Sequence, residues 1–309
     1  MANRRNKDSF FHVEGYSSLK NKLFTEYGKP FDYRKVNISS YPNINYGEPV
    51  IVHQQPDLTA LPQLFFLTLM LSRPCDSYLR QVVRNNTRAI QHRDGYHIVF
   101  VLAASANASC NEMIAEENER YGDILQFNHP DGYHFITLSV FYSFQYVEKL
   151  HLPVKYVVKT DSDCVVNYWL LRRRVVAMSA LRQNELYMGR CWFNILYNSE
   201  QEEKSTYVPK ALIQNDTRVP FFAAGGCYVI SYPVLPRLLL AIQHLPFIAH
   251  HEDMNVGRGM AMLRIPCVGD EHWWIARHGC DSRAECLRYV VMHPNTSKED
   301  TARFYSYLR

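Results

Sequence analysis

Two aspartates separated by one residue follow an apolar segment in the middle of the chain. Asp161 and Asp163 end the run VVKTDSD, which begins inside the apolar stretch 154–159. Carboxylates at the end of a strand can reach the same side of a ligand. Hard divalent cations that also bind phosphate oxygens prefer such oxygen donors. The alternative is a capping role, because aspartate often begins a helix and Val165 starts a helix-compatible run.

A second acidic group lies in the run His250-His251-Glu252-Asp253, just before a segment with helical spacing. A carboxylate near the start of a helix could act as a general base. The alternative is again structural, since acidic residues in a first helical turn cap the backbone and compensate the helix dipole.

Three weaker signals accompany these acids. The pair Gly225 and Gly226 interrupts the apolar run FFAAGGCY, which predicts a bulge, a close approach of backbone to ligand, or a tight strand crossing. His293 follows the apolar run VVM, where it could complete a metal site or simply pack in the core. Trp273 and Trp274 could stack on sugar rings or fill the core.

The segments that contain these residues alternate between continuous apolar runs and stretches with helical spacing. Uninterrupted apolar strands separated by helices predict an α/β fold with a mostly parallel sheet that helices cover on both faces. Ligands of such sheets bind beyond the carboxyl ends of the strands, here after Leu71, Ala103 and Lys159. The predicted strands are Leu64–Leu71, 97–103, 124–127, 154–159, 221–231 and 288–292, and the predicted helices 77–91, 111–121, 133–150, 168–181, 234–244, 254–263 and 297–308.

Composition and charge narrow the class of protein. The 309 residues are 47% hydrophobic and 21% charged, which is typical of a globular chain and not of a disordered one. A net charge of +4 suits an anionic small molecule but predicts no nucleic-acid partner, and the compact basic run 172–174 is interpreted as a solvated helix face.

Residues 1–60 are interpreted as a stem or lead-in segment, and 61–309 as one catalytic domain.

Several features bear on the compartment. The chain has eight cysteines and no C-x-x-C pair, so disulfides are favoured over a zinc site, although the sequence does not determine their pairing. Together with the N-x-S/T triplets at Asn37, Asn85, Asn107, Asn215 and Asn295, the cysteines favour an oxidising lumen. No signal peptide or membrane anchor is visible, and Leu64–Leu71 is too short to span a bilayer.

In their order along the chain, these segments resemble the β-1,3-galactosyltransferase and β-1,3-N-acetylglucosaminyltransferase family (glycosyltransferase family 31). The segment YVVKTDSDCVVN is similar to the family motif K-x-D-D-D-x-F-V-N, and VPFFAAGGCYVIS to Y-P-x-Y-x-x-G-x-G-Y-V-L-S. HHEDMNVGRGMAML resembles the E-D-V-x-x-G helix, and YVVMHP the late Val-His strand end. The segments before them resemble the R-x-x-I-R-x-T-W helix and the Y-x-D-I … D-x-Y-x-N-L-T-x-K segment.

The resemblance implies a Rossmann-like GT-A fold, a UDP-sugar donor and an inverting reaction with Mn²⁺ or another divalent cation. By correspondence with the motifs, Asp161, Asp163 and His293 would bind the metal, and Asp253 would be the catalytic base. The residues expected near the nucleotide are Arg80, Arg84, Asp161, Gly225 and Gly226.

The resemblance also implies transfer of a hexose, with galactose in β-1,3 linkage as the best match, to a glycan acceptor on a glycoprotein or glycolipid. The expected location is the Golgi lumen, with a membrane association that no segment of this chain explains. The sequence departs from the motifs at Ser162, Phe135 and Ser139, which replace an aspartate, an asparagine and a lysine. The alternative function is a non-catalytic luminal chaperone or lectin-like protein with the same fold.

Overall fold

The computed structural model describes residues 50–52, 56–197, 208, 218–245, 248, 250–270, 272–273, 280, 282–293 and 297–308. Its strands are β1 Leu64–Leu71, β2 Tyr96–Ala104, β3 Ile124–Pro130, β4 Val154–Asp161, β5 Val165–Val166, β6 Tyr187–Leu196, β7 Arg218–Ser231, β8 Val268–Gly269 and β9 Val291–Met292. Its helices are α1 Ser77–Asp94, α2 Ala108–Tyr121, α3 Ile136–Lys149, α4 Tyr168–Val176, α5 Ala180–Asn184, α6 Leu235–Ile242, α7 Glu252–Met262, α8 Arg283–Cys286 and α9 Lys298–Tyr307.

Among the described residues, seven strands form the main sheet, in the order β3-β2-β1-β4-β7-β6-β8. The pairs β3–β2, β2–β1 and β1–β4 are parallel, whereas β7 runs antiparallel to both β4 and β6. The remaining strands, β5 and β9, pair antiparallel in a small separate sheet. The predicted α/β class with a mostly parallel sheet is confirmed.

The central strand β1 is buried on both sides, which explains why its sequence is apolar without alternation. Leu67 and Leu69 contribute to a core cluster that also contains residues of α3, α6 and α7. Phe66 and Met70 point to the opposite face, where their cluster contains residues of α1, α2, α4 and α9. Helices therefore cover both faces of the sheet, and its carboxyl edge is left between the two layers.

The sequence did not predict strand β6, and it predicted one helix over 168–181 where the structure has two. Strand β6 contains exposed aromatic and polar residues, so it lacks the continuous apolar run that identified the other long strands. Helix α4 ends at Val176, and Ser179 adopts extended backbone before α5 begins at Ala180.

Packing begins before residue 61. Ile51 forms a β-bridge with Phe127, and the side chain of Leu58 is only 2% exposed in the core. The boundary between lead-in and domain at 60/61 stays a prediction, although these contacts show that residues 51 and 58 already pack on the sheet. The triplets at Asn37, Asn215 and Asn295, and the side chain of Trp274, lie outside the described residues.

Disulfide bonds connect Cys75 with Cys110, Cys191 with Cys267, and Cys280 with Cys286. Cys164 and Cys227 are buried free thiols. The first disulfide ties the loop after β1 to the start of α2, which stabilises a loop at the carboxyl edge of the sheet. In the part of the chain that the structure describes, no helix combines the length and apolar character needed to cross a bilayer.

Candidate active site

A cleft with a volume of about 1090 Å³ opens at the carboxyl ends of β1, β2 and β4. This is the edge at which ligands of parallel sheets bind, and it follows the three strand ends named from the sequence. The first turns of α1 and α9 and the loop before α3 complete its wall. Among the residues that line it are Leu71, Ser72, Ala103, Asp131, Tyr133, Ser139, Asp161, Ser162, Asp163 and His293.

Asp163 and His293 meet in this cleft because β5 and β9 pair next to each other. The register places Val165 opposite Met292, so the residues just outside the two-stranded sheet converge. His293 Nε2 lies 3.6 Å from Asp163 Oδ2. The helix that follows, α4, is capped by the side chain of Asn167, so the capping alternative for Asp163 is wrong.

The donor atoms of this pair fit a divalent cation. Asp163 Oδ1 is shielded from solvent and accepts no hydrogen bond from another described residue, while the side chain as a whole is 51% exposed to the cleft, so this oxygen is available to a cation. Carboxylate oxygens suit hard cations such as Mg²⁺ and Mn²⁺, and imidazole is a common nitrogen ligand of divalent metals. Cys164 lies within the same cluster, but burial raises the pKa of its thiol well above the usual value. It is therefore a neutral core thiol and not a ligand for a hard cation.

Lys159 connects the metal side of the cleft with helix α7. Its ammonium lies 2.8 Å from Asp161 Oδ1 and 2.9 Å from Glu252 Oε1, and it donates to the carbonyl oxygen of Gly225. The lysine side chain is only 1% exposed. Burial opposes its charge, but the two carboxylates outweigh that penalty and raise the pKa of Lys159, so the ammonium form is stable.

Asp161 is held by this lysine and lies outside the cluster formed by Asp163 and His293. Burial raises the pKa of Asp161 to about 6; the charge of Lys159 opposes the rise, and Asp163 and Glu252 add to it. The role of Asp161 as a metal ligand stays a prediction. Its observed contact is the ion pair with Lys159, which orients its carboxylate at the cleft.

Asp253 begins α7 beside Glu252 and faces the bulged stretch of β7. It accepts hydrogen bonds from the backbone N–H of Gly225 at 3.1 Å and from that of Met254 at 2.8 Å. Burial, and then the charge of Glu252, raise the pKa of Asp253 to about 7. A carboxyl group with that pKa exchanges protons readily at neutral pH, as a general base requires.

Gly225 is the residue that allows this approach. A Cβ atom at this position would lie 2.8 Å from Glu252 Oε1, so any other residue would displace the Glu252 carboxylate from its place beside Lys159. The register between β6 and β7 shifts between Gly189 and Cys191, which places Gly225 and Gly226 in a bulge, as the paired glycines predicted. In this structure Gly225 contacts the acids of α7 and Lys159, and its role at the nucleotide stays a prediction.

Arg80 and Arg84, also expected near the nucleotide, are buried in ion pairs. Arg80 pairs with Glu117 and donates to the carbonyl oxygens of Arg73 and Pro74, while Arg84 pairs with Glu117 and Asp123. Their side chains are 1% and 5% exposed. Arg80 thus holds the loop at the cleft wall, and direct contact of either arginine with a nucleotide stays a prediction.

Sequence reasoning assigned no role to several residues that the fold brings to the site. These include Lys159 and Glu252, and also Tyr133, on whose pKa the charges of Glu252, Asp253 and Asp161 all act. The lysine of the K-x-D-D-D motif was the available signal, because a charged residue inside an apolar strand needs a partner. Trp273 is fully buried and donates to the carbonyl oxygen of Cys227, so it belongs to the core.

The sequence model of the family described as Galactosyltransferase matches residues 79–271. This span is more than half of the chain and contains Asp161, Asp163 and Asp253. The chain belongs to the galactosyltransferase family. The family inferred from the sequence motifs is thereby confirmed, and with it the enzyme class, a glycosyltransferase.

Individual family members are distant in sequence. Beta-1,3-galactosyltransferase 2 of Pongo abelii is 26% identical over 279 residues, which cover 88% of this chain and 64% of the relative. Beta-1,3-galactosyltransferase 1 of Mus musculus is 27% identical over 241 residues, which cover 76% of this chain and 71% of the relative. The chain therefore spans 64% of the length of the first of these two relatives.

Among solved structures, the galactosyltransferase LgtC in complex with donor and acceptor sugar analogs is 12% identical and has a TM-score of 0.40. The similarity covers 77% of this chain and 95% of LgtC. At that score the superposition supports no residue-level correspondence.

Proposed function

We propose that this protein is an inverting, manganese-dependent hexosyltransferase that transfers galactose from UDP-galactose, in β-1,3 linkage, to a glycan acceptor. The acceptor would belong to a glycoprotein or glycolipid, and the site of action would be the Golgi lumen. Family membership supports the hexosyl transfer, and the motif resemblance supports the finer assignments.

One observation supports this proposal most directly. The Asp163–His293 pair lies on one side of the Lys159 ion pairs, and Asp253, whose pKa is raised to about 7, lies on the other. Both groups are at the same edge of the main sheet. A transferase needs charge stabilisation at the leaving diphosphate and a base at the incoming hydroxyl. A lectin-like protein does not need charge stabilisation and a base together.

Asp163 and His293 would hold the metal. When bound, a divalent cation supplies Lewis-acid stabilisation of the negative charge that develops on the leaving nucleoside diphosphate. Lys159 keeps Asp161 oriented beside that charge and fixes Glu252 on α7. Asp253 Oδ2 would accept the proton of the acceptor hydroxyl as its oxygen attacks the anomeric carbon from the face opposite the diphosphate.

The strand order sets the direction in which the donor would lie. The diphosphate would bind at the end of β4, and Asp253 lies toward β7, so the sugar would extend in that direction. The nucleoside would then extend the other way along the edge, over the ends of β1 and β2. The residues that line the cleft include the apolar Leu71, Val101 and Ala103 from these strands and the polar Asp131 and Ser139.

The decisive test is a transfer assay with UDP-galactose, UDP-N-acetylglucosamine and UDP-N-acetylgalactosamine, each with Mn²⁺ and several simple glycan acceptors. Formation of a β-1,3-galactosylated product from UDP-galactose would support the proposal. Free phosphate without glycan product would indicate a phosphohydrolase, and binding without turnover would indicate the non-catalytic alternative.

Removing the carboxylate of Asp163 should abolish most metal binding. We expect Asp163→Ala to weaken Mn²⁺ affinity by about 100-fold or more. Mutation of residues that only hydrogen-bond to a metal ligand already lowers metal affinity by about 10–100-fold, and Asp163 would be a ligand itself. Electron paramagnetic resonance titration of Mn²⁺ in the presence of UDP measures the effect without any need for turnover. Asp94→Ala removes a carboxylate that pairs with Arg93 outside the cleft and should leave Mn²⁺ affinity unchanged. Equal affinities in the two variants would exclude Asp163 as a ligand.

The pH dependence should report the carboxyl group of Asp253. The base is inactive when protonated, so kcat/KM should rise with pH up to about 7 and level off above it. Because the charge of Glu252 contributes to this raised pKa, Glu252→Gln should move the acidic limb to lower pH. A pH–rate profile of both proteins checks the shift, and an unmoved or rising midpoint in the variant would contradict the assignment.

A further inference from the structure

Ser139 and His129 form a buried hydrogen-bonded pair at the wall of the cleft. Ser139 lies on α3 and His129 on β3, and each residue is 8% exposed. Ser139 Oγ is 3.2 Å from His129 Nε2, and His129 Nδ1 is 3.1 Å from the carbonyl oxygen of Pro130. Ser139 itself lines the cleft. The serine stands where the family motif has a lysine, so this pair is a property of this chain.

The direction of these hydrogen bonds follows from their chemistry. A carbonyl oxygen can only accept, so His129 Nδ1 must carry a proton and donate it to Pro130. Burial lowers the pKa of His129, which keeps the imidazole neutral. Nε2 of the neutral ring is then an acceptor, and the hydroxyl proton of Ser139 points to it. The lone pairs of Ser139 Oγ therefore remain to face the cleft.

These hydrogen bonds leave Ser139 Oγ able to accept a hydrogen bond from a ligand but not to donate one. A free serine hydroxyl rotates and can donate or accept, so it discriminates poorly between ligand groups. The hydroxyl proton of Ser139 is already donated to His129 Nε2, so only a hydrogen-bond donor on the ligand is complementary to Ser139 Oγ. A ligand that presents an acceptor would leave two oxygen lone pairs facing each other, which is unfavourable in a buried site.

We propose that the His129–Ser139 pair reads the nucleoside of the donor, with Ser139 Oγ accepting a hydrogen bond from the uracil N3–H or from a ribose hydroxyl. The inference rests on the proposed function, which places the nucleoside over the ends of β1 and β2. Ser139 lines the same cleft as Val101 and Ala103, and its partner His129 lies on β3, the strand beyond β2 in the sheet. Uracil carries a proton at N3 and cytosine does not, so an acceptor at this point favours UDP over CDP.

Binding of nucleotides in the presence of Mn²⁺, measured by isothermal titration calorimetry, tests this assignment without turnover. Ser139→Ala should bind UDP about three- to tenfold more weakly, the effect of one lost neutral hydrogen bond. Ser143→Ala is the matched control, because Ser143 lies one turn further along α3 and donates to the carbonyl oxygen of Val140 in the core. It should bind UDP like the wild type.

Nucleotide analogues identify the group that is read. If the uracil N3–H donates to Ser139 Oγ, 3-methyl-UDP should bind the wild type and Ser139→Ala equally weakly. If a ribose hydroxyl donates instead, 2′-deoxy-UDP or 3′-deoxy-UDP should bind the two proteins equally weakly. Unchanged UDP affinity in Ser139→Ala overturns the inference, as does a loss confined to UDP-galactose, which would place the serine at the sugar. Failure of the wild type to bind UDP would instead overturn the proposed function.

The position of the proton on the imidazole of His129 can be tested separately in the unmodified protein. A ¹⁵N-detected imidazole spectrum should show His129 as the neutral tautomer with the proton on Nδ1. A proton on Nε2 would make Ser139 an acceptor from histidine and free its own proton for the cleft. That result would overturn the proposed recognition.

Discussion

Asp253→Asn is expected to lower kcat by about 10²–10⁴-fold, because general-base assistance typically contributes that much to a proton transfer. Asparagine keeps the size of the side chain and an oxygen that can accept from Met254 N–H, but it cannot take a proton from an acceptor hydroxyl. The fold should be retained. With its pKa raised to about 7, Asp253 is already partly protonated at neutral pH, and the amide resembles that neutral form.

The measurement is steady-state transfer at saturating UDP-galactose, together with calorimetric binding of Mn²⁺ and UDP to the same variant. Turnover should collapse while nucleotide affinity stays within about twofold, since the base interacts with the acceptor and not with the nucleotide. Asp94→Asn, which changes a carboxylate that pairs with Arg93 outside the cleft, should keep kcat near the wild-type value. Near-normal turnover by Asp253→Asn would remove Asp253 from the role of base.

Lys159→Met should destabilise the protein by about 3–5 kcal/mol and also abolish most activity. Removing one partner of a buried ion pair leaves an uncompensated charge, and that cost exceeds the value of the pair itself. The variant leaves Asp161 and Glu252, whose side chains are 30% and 6% exposed, without their shared cation. It also removes the hydrogen bond to the carbonyl oxygen of Gly225 that fixes the bulge of β7.

Urea unfolding at pH 7 measures this cost as a change in the free energy of unfolding. The double variant Lys159→Met/Glu252→Gln should recover part of the loss, because it neutralises the more deeply buried carboxylate. Arg237→Met is the matched control: it removes a cation 3.1 Å from Glu185 with both side chains about one-third exposed, and should cost under about 1 kcal/mol. Similar losses in the two single variants would show that Lys159 does not act as a buried bridge.

Much of the site was accessible from the sequence because its signals are local. Continuous apolar runs identified β1, β2 and β4, and the rule for parallel sheets placed the cleft at their carboxyl ends. The D-x-D and E-D acids stand at element ends, where short-range patterns are most informative. The antiparallel strand β6 was missed because its residues do not form an apolar run.

The tertiary structure alone decided how these groups are connected. The bridge from Lys159 to Glu252 and the disulfide between Cys191 and Cys267 join residues that are distant in sequence, and His129 meets Ser139 because β3 and α3 lie side by side. No local pattern encodes such contacts, since they depend on how separate elements pack against one another. Arg80 and Arg84 illustrate the point. Their motif predicts a position near the nucleotide, and only the fold shows that Glu117 on α2 forms ion pairs with both guanidinium groups. The sequence thus specified which chemical groups reach the edge of the sheet, and the packing of the elements determined which of them touch, because ion pairs and hydrogen bonds form only at contact distance.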